Sequence, residues 1–459
     1  PGATVRVTQL RHEFLFGTAL SASMFMPGDM GDADRDMYKS VVRSHFNAAV
    51  HENALKWKHT NATDAVSDFS RADAVVDWCD ANGIWMRGHA VFWGRPATIP
   101  EWVLATPGDG LRNVLRDRAR EVVSRYVGRI GEYDLNNEML RPNHYVERLG
   151  GDITRRMFEW ARQADPSAAL YVNDFNILNS IDFTNEDFNV HMRVGDLDGY
   201  VDQIRGLLAD GVPLGGIGIQ AHMFMGHPDA DIDVARMTDA LDRLAQFDLP
   251  IKITEFDMPG TVDEDRRARN LDAFYRTAFA HPSVVGIFMW GFWEGAHWMP
   301  MAALWTKAWQ RKPAALAYEN LVLNEWRSDC TVDADSAGVA AVQVFYGDHL
   351  VEVGDHRQVV RVTKRDGGAS ILIARYPALD GAEGAGAPAL TLATPIGKLL
   401  QDAGARRVLE QYLGAAALED PRFQMALGIS LKQLAGFLPE LLTAEKLAGM
   451  EKDLNAIER

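Results

Sequence analysis

The chain has 459 residues, more than one ordinary domain and enough for an α/β barrel with an appendage. Apolar residues make up 47% and charged residues 24%, the balance of a folded protein with a large core rather than a disordered chain. A net charge of −16 with no Lys/Arg-rich run argues against a nucleic-acid partner, and no stretch approaches the ~20 consecutive apolar residues of a membrane span.

The opening PGATVRVTQL lacks the charged-then-apolar form of a signal peptide. From Phe14 onward, eight short apolar runs alternate with amphipathic stretches. In order the runs are FLFGTAL (Phe14), NAAVHEN (Asn47), IWMRGHAVF (Ile84), EYDLNNE (Glu132), ALYVNDF (Ala169), GIGIQAH (Gly216), IKITEFD (Ile251) and VGIFMWG (Val285). Between them, segments such as RADAVVDWCDAN, GLRNVLRDRAREVVSRYVGRI and VARMTDALDRLAQF repeat apolar residues every three to four positions, the period of a helix. Eight βα units close a (β/α)8 barrel, which predicts a barrel domain over 1–327.

After Trp326 the pattern changes. VAAVQVFYG, HLVEV, QVVRVTKR and SILIARY alternate apolar and polar residues and are punctuated by Gly and Asp, which predicts a small antiparallel β-sandwich over 328–378. A Gly/Ala-rich linker fills 379–393. From Thr394, TPIGKLLQDA, RRVLEQYL, PRFQMALG, SLKQLAGFL and TAEKLAGMEKDLNAIE predict a helical tail over 394–459. The β-module is expected to brace the barrel, because no row of exposed aromatics is evident in it. The tail is a possible self-association element, and the oligomeric state is left open.

Polar residues gather toward the C-terminal ends of the barrel runs, the face on which barrel active sites are built. They include His51, Glu52 and Asn53; Arg87 and His89; Asn137 and Glu138; Asn173 and Asp174; Gln220 and His222; Glu255 and Asp257. Glu138 and Glu255 end different strands. Two such carboxylates are what retaining glycoside hydrolysis requires: one attacks the anomeric carbon, and the other protonates the leaving oxygen and then activates water. Two strand-end glutamates would equally serve in structural ion pairs. Cys79 and Cys330 are too few for a disulfide framework and are read as inert thiols. No metal and no cofactor are expected, since there is no His-x-His on the first run, no HExxH, no GxSxG and no GxGxxG after a first strand.

Seven motifs occur in order: HENALKW at His51, RGHAVFW at Arg87, YDLNNE at Tyr133, YVNDFN at Tyr171, GIGIQAH at Gly216, ITEFD at Ile253 and MWGFWEGAHW at Met289. Together they resemble glycoside hydrolase family 10, the endo-β-1,4-xylanases, over roughly Phe14 to Trp326. The resemblance implies that Glu138 is the acid/base, Glu255 the nucleophile and Asn137 a donor to the sugar 2-OH. It also implies that His222 holds Glu255, with Asp257 fixing that imidazole. Glu52, Asn53 and Lys56 correspond to a group that binds hydroxyls on the non-reducing side of the cut. His89 lies beside the cleaved sugar, Trp93, Trp290 and Trp298 supply apolar walls, and Asn173 and Gln220 line the floor.

The implied substrate is xylan or a xylo-oligosaccharide, cut internally with retention, by an enzyme secreted or periplasmic because its substrate is a polymer. Two departures bear on specificity. Gly94 and Pro96 stand where many members have His and Gln, so two sugar contacts are absent or supplied by residues such as Arg95. GFWEGAHWMP places Trp293, Glu294 and His297 near the expected cleft. The alternatives are a related β-glycosidase with exo action or another polysaccharide, and a non-catalytic carbohydrate-binding barrel.

Overall fold

A computed structural model describes residues 2–61, 63, 66–178, 183–185, 190–192, 196–223, 230–259, 263–371, 390–392, 394, 396–414, 418, 430–435 and 442–457. In chain order the strands are β1 (Thr4–His12), β2 (Leu15–Leu20), β3 (Ala48–His51), β4 (Trp85–Trp93), β5 (Ile130–Asn137) and β6 (Ala169–Asp174). There follow β7 (Phe183–Asn185), β8 (Val190–Met192), β9 (Gly216–Ile219), β10 (Ile251–Phe256) and β11 (Val284–Met289). The last three are β12 (Asp329–Asp333), β13 (Gly347–Val353) and β14 (His356–Val362). Eight of them close a parallel barrel in the order β10-β11-β2-β3-β4-β5-β6-β9, one for each of the eight apolar runs, while β7 and β8 form a separate hairpin.

These strands read as continuous apolar runs because both of their faces are covered, by the barrel interior and by the outer helices. β3, β9 and β10 are buried along their whole length. The helices between them are amphipathic as expected: Ser70–Ala81 buries Val75, Val76 and Cys79, and Gly108–Arg125 buries Leu111, Leu115 and Val122. Inside the barrel the buried Arg87 guanidinium pairs with Glu132 and Asp134, and Lys252 pairs with Glu132, so these four buried charges answer one another.

The antiparallel module is present but differs from the expected sandwich. Among the described residues it is one four-stranded sheet, β12-β1-β13-β14, and its second strand comes from the start of the chain. TVRVTQLRH alternates as a strand, and its partners lie more than 300 residues away: Val5 faces Val332 on one side and Val353 on the other. The buried Gln9 side chain fastens the junction, accepting from Ser328 N at 3.0 Å and donating to Tyr346 O at 3.2 Å. VAAVQVFYG, expected as a strand, is not one in this sheet. That segment is irregular up to Tyr346, with Val339 and Val342 exposed. Most of SILIARY lies outside the described residues, as does PRFQMALG.

The chain divides into two compact units, Pro1–Ile371 and Leu372–Arg459. The second holds helices Ile396–Gln401, Ala403–Leu413, Leu431–Ala435 and Ala444–Asn455. They bury their own core of Leu399, Leu409, Leu431, Met450 and Leu454. Asp402 caps the second of these helices by accepting from Gly404 N and Ala405 N.

Candidate active site

At the C-terminal end of β5 the backbone leaves extended geometry at Glu138, whose φ is +56°. A non-glycine residue in this left-handed region costs about 1–3 kcal/mol and persists only where its surroundings enforce it. Here the Glu138 N–H donates to Asn173 O at 2.8 Å, which anchors the turn to the end of β6. Glu138 is 7% exposed and Glu255, near the end of β10, 4%.

A chain of amide hydrogen bonds connects the two carboxylates. Asn173 Nδ2 donates to Glu255 Oε1 at 2.8 Å and to Asn137 Oδ1 at 2.9 Å. Gln220 Nε2 lies 3.3 Å from both Asn137 Oδ1 and Glu138 Oε1. Thr254 Oγ1 donates to Asn173 Oδ1 at 2.6 Å and so fixes which way that amide faces. With its oxygen occupied twice, Asn137 keeps a buried Nδ2 that has no hydrogen-bond partner among the described residues.

His222 bridges the other oxygen of Glu255 to Asp257, with Nε2 3.2 Å from Glu255 Oε2 and Nδ1 2.9 Å from Asp257 Oδ1. Burial disfavours charge on this imidazole, but the two carboxylates outweigh it and push His222 up to about 10. Burial would likewise raise Glu255, yet the nearby His89, the His222 hydrogen bond and Lys56 hold it down at about 2. Asp174 behaves oppositely: burial pushes it up to about 8, with Glu138 adding, although Leu140 N and Phe175 N donate to it.

The remaining expected contacts lie around this centre. Lys56 Nζ donates to Asn53 Oδ1 at 2.9 Å and sits 5.4 Å from the ring centres of both Trp93 and Trp290. Burial lowers Lys56, against the pull of Glu255, Glu52 and Glu138. Burial raises the half-buried Glu52, with Lys56 and Asn53 opposing. Trp290 packs edge-on against His89 with centroids 4.9 Å apart, and Trp298 donates from Nε1 to Asp257 Oδ2 at 2.6 Å. Asn137, Glu138, Asn173, Gln220, His222, Glu255, Asp257 and Trp298 are therefore joined by hydrogen bonds, while Asn53, Lys56, Trp93, Trp290 and His89 lie against one another.

Of the three additional residues at 293–297, Trp293 does not line the cleft. Trp293 is fully buried and stacked on Trp309, with centroids 4.5 Å apart. Glu294 pairs with Lys312 at 2.7 Å, and His297 lies within the electrostatic reach of Asp257 and His222. Three participants had not been singled out: Asp134, Thr254 and Arg95 as a partner of Glu138. Asp134 accepts from His89 Nδ1 at 2.9 Å, and the Arg95 guanidinium reaches Glu138 Oε2 at 3.1 Å. For Asp134 the signal was present, since Glu132 and Asp134 are charges spaced two apart within a strand-forming run and so share one face of it.

His89, Asp134 and Glu255 each place one donor atom within 4.8 Å of the others. His89 Nδ1 is already shared between the two carboxylates, at 2.9 and 3.7 Å, and Arg87 pairs with Asp134. The anionic charge of this group is thus met by protein cations.

A closed parallel barrel with two buried glutamates at the ends of its fourth and seventh strands is the architecture of the barrel glycoside hydrolases. The chain belongs to glycosyl hydrolase family 10, whose model matches residues 7–321. Endo-1,4-beta-xylanase 1 of Arabidopsis thaliana is 34% identical over 358 residues, covering 77% of this chain and 34% of that protein. The anti-sigma-I factor RsgI6 of Acetivibrio thermocellus is 35% identical over 352 residues, covering 76% and 42%. Xylanase 10B from Thermotoga petrophila, solved in complex with xylobiose, has a TM-score of 0.58 at 25% identity, covering 68% of this chain and 95% of that one. The chain spans about a third to two-fifths of the length of the first curated relatives it matches.

Proposed function

We propose that the barrel hydrolyses internal β-1,4-xylosidic bonds of xylan by double displacement, with Glu255 as nucleophile and Glu138 as acid/base. The observation that carries this is the amide chain through Asn173, Asn137 and Gln220, which holds two carboxylates from separate strands in one fixed arrangement. Glu255 attacks the anomeric carbon while Glu138 gives its proton to the departing oxygen. Glu138 then takes a proton from water, which attacks the same carbon and releases Glu255.

His222, held by Asp257, keeps Glu255 ionised and oriented before attack. The unoccupied Asn137 Nδ2 is suited to donate to the sugar 2-OH, a contact that strengthens as the oxocarbenium ion forms. Glu52, Asn53, Lys56 and His89 hold hydroxyls, and Trp93, Trp290 and Trp298 flank the sugar rings. The similarity to a xylanase solved with xylobiose supports the substrate class. A polymeric substrate fits action outside the cytoplasm, and the sheet that includes Thr4–His12 fits a bracing role.

A second reading, exo action or another polysaccharide, is favoured by position 94. Glycine there offers no side chain to a sugar, and a Cβ built on it would meet the Asn143 side chain at 2.4 Å. Digestion of unbranched xylan separates the readings: a ladder of oligomers with the β-anomer formed first supports internal retaining cleavage, xylose alone supports exo action, and no product leaves a binding barrel.

A further inference from the structure

Glu138 meets a donor on each of its carboxylate oxygens: Gln220 Nε2 lies 3.3 Å from Oε1, and Arg95 Nη1 lies 3.1 Å from Oε2. The two partners are held differently. Gln220 is 3% exposed and its amide also contacts Asn137, whereas the Arg95 side chain is 50% exposed. The backbone that carries Arg95 is nonetheless fixed. Thr98 N and Thr98 Oγ1 donate to Arg95 O at 2.9 and 2.8 Å, and His144 N donates to Gly94 O at 2.9 Å. The Asn143 side chain packs against Gly94, 2.4 Å from where a Cβ would stand. A guanidinium on so firm a stem can change partners without disturbing the turn.

Double displacement asks opposite things of Glu138 in its two steps. In the first, Glu138 carries a proton and hands it to the departing sugar, and a guanidinium pressed on the same carboxyl opposes that. In the second it is an ionised base aimed at water, the state that two donors satisfy; each oxygen keeps a further lone pair for the water's proton. One partner therefore has to come and go. An ion pair with an exposed end exchanges readily with water, while moving Gln220 would break its contact with Asn137 inside the core.

We infer that Arg95 is a positioning residue for the second step: it gives way to the leaving sugar, then returns to Glu138 Oε2 and holds the carboxylate toward the incoming water. The inference rests on the reading of Glu138 as acid/base. In that step a water proton passes to Glu138 while the water oxygen bonds to the anomeric carbon and the bond to Glu255 breaks. Azide bypasses the arrangement, because an anion can bond to that carbon and displace Glu255 with no proton to remove.

Two aryl β-xylobiosides test this with the full chain. Dinitrophenolate leaves without a proton, so kcat on its glycoside reports the second step; phenol needs the proton, so kcat/KM on the phenyl glycoside reports the first. Arg95→Ala should lower kcat on the dinitrophenyl substrate about tenfold, a part of the 10²–10⁴ that positioned proton transfer supplies, and should keep kcat/KM on both substrates within about twofold. Azide should restore that kcat and yield the β-xylobiosyl azide. The role of Arg95 is overturned by an unchanged kcat, by a tenfold fall of kcat/KM on both substrates, or by a loss that azide leaves in place while it restores Glu138→Ala. A normal kcat of Glu138→Ala on the dinitrophenyl glycoside would show instead that Glu138 is not the base, and the inference falls with that assignment.

Discussion

His222 Nε2 stands 3.2 Å from Glu255 Oε2, and each favours the charged form of the other: with Asp257 the imidazole is pushed up to about 10, and with His89 the carboxyl is held down at about 2. A buried ion pair of this kind gives little net stability against its desolvation cost. Its value here is a carboxylate that stays ionised and correctly aimed at any pH at which the enzyme would work.

The sign of each shift sets how the pair responds to pH. Glu255 lies below its unfolded value, so its contribution is present above about 4.5 and is lost as pH falls toward 2. His222 lies above its unfolded value, so its contribution is complete below about 6.5 and is lost as pH rises toward 10. In His222→Gln the acidic limb of kcat/KM should move up toward the ordinary carboxylate value of ~4.3. The difference in melting temperature from the unaltered chain should be most favourable to His222 between those two unfolded values. An acidic limb that stays in place would separate His222 from the ionisation of Glu255.

Asn173 is the hinge of the amide chain, since it touches Asn137, Glu255 and Thr254. Asn173→Ala should reduce kcat by about 10²–10³, the loss expected when a preorganised donor is removed at a charge-developing site. KM should change little. A variant with kcat near normal would show that the chain is structural decoration.

Gly218 sits directly behind that hinge. A Cβ there would come within 2.6 Å of Asn173 Oδ1 and 2.9 Å of Val172 O. Gly218→Ala should therefore cost about 1–3 kcal/mol in stability and also depress kcat, because the strain falls on the residue that orients Glu255. Denaturant titration and steady-state kinetics of one preparation check both halves.

Trp298 combines two roles that substitution can divide. It is 44% exposed, as a sugar platform would be, and its Nε1 donates to Asp257. Trp298→Phe keeps a ring but loses the donor, so kcat should fall with KM nearly constant. Trp298→Ala should raise KM as well. Identical kinetics in both variants would deny the platform.

What the sequence made legible follows from the physics of each element. The barrel strands stood out because strands covered on both faces are written in continuous apolar residues, and the polar residues ending them broke that rule visibly. Most of the site shared this signal, as Asn137–Glu138 and Glu255–Asp257 illustrate. The placement of β1 was not legible: TVRVTQLRH is recognisable as a strand, but nothing local specifies partners more than 300 residues away, so the module was expected to close on itself. Trp293 was misplaced for a similar reason. Its position within a cleft motif placed it near the cleft, and its burial with the Trp309 ring stacked on it shows that it belongs to the core. The ion pair of Arg95 with Glu138 depends on where the turn after β4 points its side chain, which spacing does not encode.

The most direct measurement is to trap the intermediate. A 2-deoxy-2-fluoro xylobioside with a good leaving group slows both steps and lets the covalent sugar accumulate, after which proteolysis and mass spectrometry locate it. Double displacement through Glu255 predicts a stoichiometric adduct on the peptide IKITEFD, at Glu255 itself. An adduct on any other carboxylate, or hydrolysis of an unmodified substrate to the α-anomer first, would contradict it.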